Sequence, residues 1–260
     1  MEANDLARTG KPAGNTATAW LKIIALVFMF CDHAGKMLLP NIPEMRLIGR
    51  IAFPIYVWCM IVGFHYTRSV PKYLLRVLGV GLISQPLYIL ALNHTWRQPN
   101  VFLCLFLGLC ALWGIREKKY LSHIWAPAAA IVLATLLNAD YGWKGVLLFV
   151  LLYAVRDSRR GIAAVMVAYF LFWGSFYSVT KSFFNIPFDL KALDNSLYLP
   201  LASLLRTETY ALLSLPFILV RFRKDLKLPR WVGYAVYPAH LVLLYVLELI
   251  FKYVSQLHIR

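Results

Sequence analysis

The sequence predicts an all-α fold, a polytopic integral membrane helical bundle with about nine transmembrane helices and a cytoplasmic N-terminus. Three observations predict it. The 260 residues are 60% hydrophobic and have a mean hydropathy of +0.63, whereas a soluble domain is about 45–50% apolar. Apolar runs of helical length recur along the chain, and basic residues cluster in every second connection between them.

The expected spans are 18–39, 47–66, 73–92, 101–116, 122–138, 142–156, 161–179, 207–221 and 231–255, judged against the ~20 apolar residues that a helix needs to cross a bilayer. The sixth and eighth are short, which suits a tilted or partly re-entrant path. Brief connections join the third span to the fourth and the fifth to the sixth, as in helical hairpins. Residues 1–17 have no apolar core and are expected to form a short disordered cytoplasmic tail, not a cleaved signal peptide. Residues 18–256 are expected to form a single transmembrane domain.

The loops set the orientation. Arg8, Lys11 and Lys22 precede or open the first span. Arg68, Lys72 and Arg76 follow the second; then come Arg116, Lys118 and Lys119, then Arg156, Arg159 and Arg160, and last Arg221, Arg223, Lys224, Lys227 and Arg230. Of the intervening loops, one has Arg97 and another Lys144. This alternation follows the positive-inside rule and places the N-terminus inside and the C-terminus outside. It accounts for most of the formal net charge of +15 without a nucleic-acid partner. The longest connection, 180–206, falls outside in this scheme; its aromatic, amphipathic character suits an external loop, a surface-lying segment or a cover over a cavity. Cys31, Cys59, Cys104 and Cys110 all lie in apolar runs, with no metal-ligand spacing, and read as reduced packing residues.

Ionisable residues within spans carry a high solvation cost and are functional candidates. Asp32 and His33 lie about 15 Å along the first helix from Lys22, near mid-bilayer and slightly toward the outside, and point about 100° apart, so each needs its own partner. Lys36 is four residues from Asp32, as in a helix-face ion pair. In the last span, His240 lies about 13 Å from Trp231, at a depth similar to His33. Pro238 bends that helix beside it, and Tyr237 adds a hydroxyl. Arg46 and Arg50 share a face of the second span; Arg50 is placed to pair with Asp32, to bind an anion or to snorkel to the headgroups. The turn at Asp140, Tyr141 and Gly142 reads as a hairpin turn. No CxxC, HExxH or carboxylate cluster suggests a metal, and no GxxxxGK[ST] loop suggests nucleotide hydrolysis. A histidine with a neighbouring carboxylate is the minimum equipment for general-base catalysis, and equally for a proton relay in a transporter. The residues alone leave both readings open.

Several segments resemble the TraX family of membrane proteins. The first is "LKIIALVFMFCDHAGKML", with the pattern K-x-x-A-x-x-x-M-x-x-D-H. It is followed by "GRIAFPIYVW" from Gly49 to Trp58, and by Thr67, Arg68, Lys72, Tyr73 and Arg76 in the pattern T-R-x-x-x-K-Y-x-x-R. "PNVFLCLFLGL", "DYGWKGVLL" and "YPAH" are also similar to family segments, and the resemblance runs from about Leu21 to Leu247. It implies a bacterial inner-membrane, multi-pass acetyltransferase, related to multi-spanning acyltransferases that take acetyl from acetyl-CoA, with no metal. The acceptor implied first is the N-terminal amine of a pilin subunit; a surface glycan or other hydroxyl is the alternative, and an Asp-His proton-coupled transporter the rival class. Carried onto this chain, the resemblance makes His33 the catalytic base. Asp32 orients or charge-stabilises it or fixes the neighbouring arginine, and His240 is a second catalytic or orienting residue. Arg50 binds an anionic group or stabilises an oxyanion, with Tyr237 and Arg46 beside it on the substrate side. Arg68, Lys72 and Arg76, with the 221–230 run, supply cations for coenzyme A. The implied partners are acetyl-CoA, a pilin or other membrane-associated acceptor and the lipid bilayer; oligomerisation is compatible with all of this.

Overall fold

The structure is a computed structural model that describes residues 11–180, 182–183, 186–187, 195–227, 229 and 232–257. It is helical apart from one two-residue antiparallel hairpin, Ser182–Phe183 with Ile186–Pro187. In chain order the helices are α1 (Thr18–Met37), α2 (Glu44–Gly49), α3 (Ala52–Tyr66), α4 (Val70–Leu92), α5 (Val101–Glu117), α6 (Ser122–Leu136), α7 (Gly142–Ala154) and α8 (Arg159–Gly174). They are followed by α9 (Asn195–Leu204), a 3₁₀ helix (Thr207–Ser214), α10 (Leu215–Leu219) and α11 (Val232–Leu257). Each of the nine apolar segments holds a helix. Four helical stretches, Thr18–Met37, Glu44–Tyr66, Val70–Leu92 and Ala235–Val254, are long and apolar enough to cross a membrane. The segment expected as an eighth span is divided instead, into the 3₁₀ helix and the short α10. Part of the 180–206 connection lies outside the described residues.

α3 is the hub of the bundle. It is apolar on every side, as a helix enclosed by other helices must be, and buries Phe53, Ile55, Val57, Trp58, Ile61 and Phe64. α1, α5, α7 and the 3₁₀ helix pack around it. α11 packs on α4 and α1, where Tyr88, Leu92, Tyr237 and Leu241 form a second apolar cluster. Without a water-driven force between spans, helices associate through close packing, and small residues permit it. Gly108 of α5 lies so close to Phe149 of α7 that a Cβ would collide with the ring, and Gly49 meets Asp32 of α1 in the same way.

Local chemistry fixes the helix ends. The Asn100 side chain accepts from the Phe102 N–H at 3.0 Å and donates to the Gly81 carbonyl at 2.8 Å, which caps α5 and ties it to α4. The Ser158 hydroxyl accepts from the Gly161 N–H at 3.0 Å at the start of α8. α1 is capped from far along the chain: the Asp225 carboxylate accepts from the N–H groups of Ala19 at 3.1 Å and Trp20 at 3.3 Å.

The end of the expected disordered tail is instead packed into the bundle. Asn15 is fully buried; its side chain donates to the Phe217 carbonyl at 3.2 Å, and its own carbonyl accepts from the Trp58 indole N–H at 2.7 Å. Gly14 leaves no room for a Cβ between Trp58 and the Ile218 carbonyl. Arg221 clamps this segment from outside by donating to the carbonyls of Pro12, Ala13 and Gly14. Polar composition suggested disorder, but these backbone groups find partners supplied by α3 and the 217–221 segment. Residues 1–10 lie outside the described residues.

Candidate functional site

The site is built from α1 outward. Asp32 and His33, adjacent on the helix, both line one cavity of about 340 Å³. His33 turns to α11, where its Nδ1 lies 3.0 Å from His240 Nε2; the rings stack at 5.2 Å with 16° between their planes. The agreement in depth expected from sequence therefore brings the two histidines into contact. His240 is buried and is not part of the cavity lining. The contact engages Nδ1 of His33, which leaves Nε2 as the nitrogen for whatever the cavity holds. For Nε2 to act as a base, the proton must sit on Nδ1 and be donated to His240 Nε2, which in turn sets the His240 proton on its own Nδ1.

Asp32 faces a different partner. Its Oδ1 accepts from Arg50 Nη2 at 2.6 Å, with Arg46 Nε 3.8 Å away. Arg50 also donates from Nη1 to Glu208 Oε1 at 3.1 Å and from Nε to the Arg46 carbonyl at 3.3 Å. The guanidinium is thus held between two carboxylates, all three side chains at most 15% exposed. Buried charges of this kind persist only when paired and hydrogen-bonded. Two sequence-based alternatives are corrected here. Arg50 does not snorkel, and the helix-face pair of Asp32 with Lys36 does not form. Gly49 has no Cβ, so the backbone at Arg50 approaches α1 closely enough to capture Asp32. Lys36 turns instead to His94, Nζ to Nε2 at 2.7 Å. His94 stacks on Tyr88 with centroids 4.7 Å apart, and its Nδ1 lies 3.0 Å from Gln98 Oε1.

The cavity runs along α1. At one end are Thr18, Ala19, Lys22, Asp225, Leu226 and Pro229; at the other, Asp32, His33, Asp140 and Tyr141. Thr18 and His33 are about 22 Å apart along the helix axis. Tyr56 and Tyr237 belong to the wall between, with Leu26, Met29 and Leu105 among its apolar members. Lys22 and Asp225 are exposed, so the first end reaches the surface of the bundle. Charged side chains thus stand at both ends of the cavity, with His33 among them at the inner one and apolar residues between.

Of the other residues expected from sequence, Tyr237 lines the cavity and meets His240 edge to face at 5.0 Å. Arg46 is exposed at the margin of the Asp32 cluster. Arg68, Lys72 and Arg76 are exposed between and along α3 and α4, and none lines the cavity; the 221–230 run does reach it, through Asp225, Leu226 and Pro229. Sequence reasoning missed Glu208, whose signal was an acid ahead of a buried apolar helix, and gave Asp140 and Tyr141 only a turn. It also had no cue for Asp225 as the cap of α1. The four cysteines are free, and among the described residues no three His, Cys, Asp or Glu side chains are grouped to hold a metal.

Fold and site together define a helical membrane protein with a cavity-lining histidine, His33, backed by a buried one, His240. The chain belongs to the TraX family: the family profile described as TraX protein matches residues 17–248. The chain is similar to an uncharacterized protein of Rickettsia prowazekii (strain Madrid E), RP591, with 23% identity over 90% of this chain and 91% of that one. It is 28% identical to Protein TraX of Escherichia coli over 57% of this chain and 62% of the relative. A shorter match, 35% identical, covers 26% of this chain and 30% of a probable fimbrial assembly protein, FimC of serogroup H1, of Dichelobacter nodosus. No solved structure matches the chain.

Proposed function

We propose that this protein is an acetyl-CoA-dependent acetyltransferase of the bacterial inner membrane, with the N-terminal amine of a pilin subunit as acceptor. We further infer nine membrane crossings with the N-terminus in the cytoplasm. The observation that carries the reading is the cavity that joins an exposed, ionic mouth at Lys22 to His33 in the last part of α1. Under the inferred orientation the mouth faces the cytoplasm, where acetyl-CoA is made. The nucleotide head would stay at the mouth near Lys22, Lys224 and Lys227, and the thioester arm would extend along α1 to His33. The names of two of the relatives, one called TraX and one a probable fimbrial assembly protein, favour a pilus-related acceptor over a glycan.

The chemistry needs a base, a way to shield the developing charge and the exclusion of water. His33 Nε2 takes a proton from the acceptor nitrogen as that nitrogen attacks the thioester carbonyl carbon. The C–N bond forms, the C–S bond breaks, and the same proton passes from His33 to the leaving sulfur, giving free CoA. His240 holds the His33 ring in the required tautomer through the 3.0 Å contact. Arg50 has each of its three nitrogens engaged, so we assign it to fixing Asp32 and not to binding a substrate anion. Tyr56 and Tyr237 supply the phenol groups of the wall that are available to the thioester oxygen.

The reading is tested by incubating the purified protein with acetyl-CoA and a peptide carrying the pilin N-terminus, then measuring peptide acetylation by mass spectrometry. Acetylation confined to the α-amine supports it. Proton flux through reconstituted vesicles without acetyl transfer to any amine or hydroxyl acceptor would favour the transporter class instead.

A further inference from the structure

The cavity wall holds a carboxylate that none of the roles above uses. Asp140 stands at the His33 end, in the turn between α6 and α7. Its neighbours in charge are already committed. Asp32 and Glu208 are both held by Arg50, and Asp225 caps α1. The Asp140 carboxylate enters none of the ion pairs among the described residues. Among the described residues it accepts from the N–H of the next residue, Tyr141, at 3.1 Å.

The turn that presents it is built at a cost. Asn138 and Tyr141 have φ of 50° and 64°, in the left-handed region that non-glycine residues avoid, followed by Gly142 at 51°. Glycine and asparagine tolerate that region, but at Tyr141 it costs on the order of 1 kcal/mol or more and persists where the surroundings impose it. The surroundings here are specific. The Tyr141 ring stacks on Phe53 at 3.8 Å and meets Trp173 edge-on at 5.9 Å, and the Gly142 carbonyl lies 3.9 Å from Cys104 Sγ. The packing holds the Asp140 carboxylate at the wall of the cavity, at the end where Asp32 and His33 also stand.

We propose that Asp140 is the acceptor anchor: its carboxylate binds the ammonium form of an α-amine and seats that nitrogen beside His33. The proposal rests on the acetyltransferase reading and deepens it by assigning the residue that selects an amine over a hydroxyl. An α-amine titrates near 7.7–8.0 in model peptides, roughly, and so arrives mostly as ammonium at neutral pH. It must lose two protons overall. One leaves to solvent as the free amine forms against Asp140; the second goes to His33 during attack and on to the CoA sulfur, so that one proton is released per turnover. A hydroxyl acceptor brings no charge and gains only a single hydrogen bond from a carboxylate at this place.

The experiment compares wild type, Asp140→Asn and Asp140→Glu with a short peptide carrying a free α-amine, the same peptide with a hydroxyl in place of its α-amine, and its Nα-acetyl form. Binding is measured without acetyl-CoA, from the ligand-induced rise in melting temperature in detergent; turnover is followed as CoA release. Wild type is expected to bind the amine about 10- to 100-fold more tightly than the hydroxyl or acetyl peptide, the range for a charged hydrogen-bonded pair. Asp140→Asn should lose that preference, and Asp140→Glu should recover part of it. In turnover the loss falls on the KM of the amine peptide, with the KM of acetyl-CoA as internal reference. Equal binding of the three peptides by wild type, or an undiminished preference in Asp140→Asn, overturns the anchor. Amine-selective binding without CoA release would leave the anchor standing and sink the transferase reading. CoA release without amine selectivity would do the reverse. The wild-type comparison of peptides decides the matter even if a variant fails to fold.

Discussion

Arg50 organises the site although the proposed chemistry does not pass through it. Its guanidinium spans two carboxylates that belong to α1 and to the 3₁₀ helix, 158 positions apart from Arg50 in the case of Glu208. Removing one partner of such a group leaves uncompensated charge in a low-dielectric interior, which typically costs about 3–5 kcal/mol. Arg50→Met is therefore expected to lower the melting temperature in detergent more than Glu208→Gln, which leaves the Arg50–Asp32 pair intact. Equal melting of Arg50→Met and wild type would show that the cluster is solvated. At this scale the sequence was legible where geometry repeats: helical rise alone put His33 and His240 at one level, and they touch at 3.0 Å. It was not legible where partners come from distant segments. Nothing near Glu208 marks it as the second seat of Arg50, and the four-residue spacing of Asp32 and Lys36 suggested a pair that the closer approach of Gly49 displaces.

The helices were legible from their apolar periodicity, because a bilayer-length run of such residues has few other stable forms. Their ends and crossings were not, since these depend on tertiary partners. The start of α1 carries no capping side chain of its own; Asp225 supplies the cap from a loop some 206 residues later. Because this cap also stands at the cavity mouth, it ties the basic 221–227 segment to the helix that carries His33. Asp225→Ala is expected to destabilise the protein by about 1 kcal/mol, with Asp225→Asn costing less; chemical denaturation in detergent measures both. An unchanged midpoint in Asp225→Ala would show that solvent satisfies the α1 amides without it. The 207–221 stretch shows the same limit. Its hydropathy suits a span, yet it folds as a 3₁₀ helix and a short α helix, because it must place Glu208 against Arg50 and wrap Thr209 under α8, where its hydroxyl lies 3.5 Å from the Phe170 carbonyl.

For the whole molecule the inferred topology makes a separate prediction. Nine crossings put the segment around Lys118 and the segment around Arg223 on the cytoplasmic side, and the turn near Arg97 and the C-terminal end of α11 outside. Single cysteines at Lys118 and Arg223, in a background without the four native thiols, are expected to resist a membrane-impermeant maleimide in intact spheroplasts and to react after permeabilisation. Cysteines at Arg97 and Gln256 should react in both states. Labelling of the Lys118 site from outside would contradict the orientation and would place the cavity mouth on the wrong face for cytosolic acetyl-CoA. The alternation of charge along the sequence is the basis of this orientation. The packing of Gly14 and Asn15 beneath Trp58 was hidden, because a short polar segment reads as disordered until the partners for its backbone are known.

The central claim is that His33 is the base for acetyl transfer, and a substitution that keeps its size and polarity tests it most directly. His33→Gln retains a side chain able to hydrogen-bond His240 but cannot take a proton at neutral pH. The rate of CoA release from acetyl-CoA with a saturating α-amine peptide is expected to fall at least about 100-fold in His33→Gln, the lower range for loss of a general base, while its melting temperature stays near wild type. A folded His33→Gln protein that releases CoA at the wild-type rate would contradict the account.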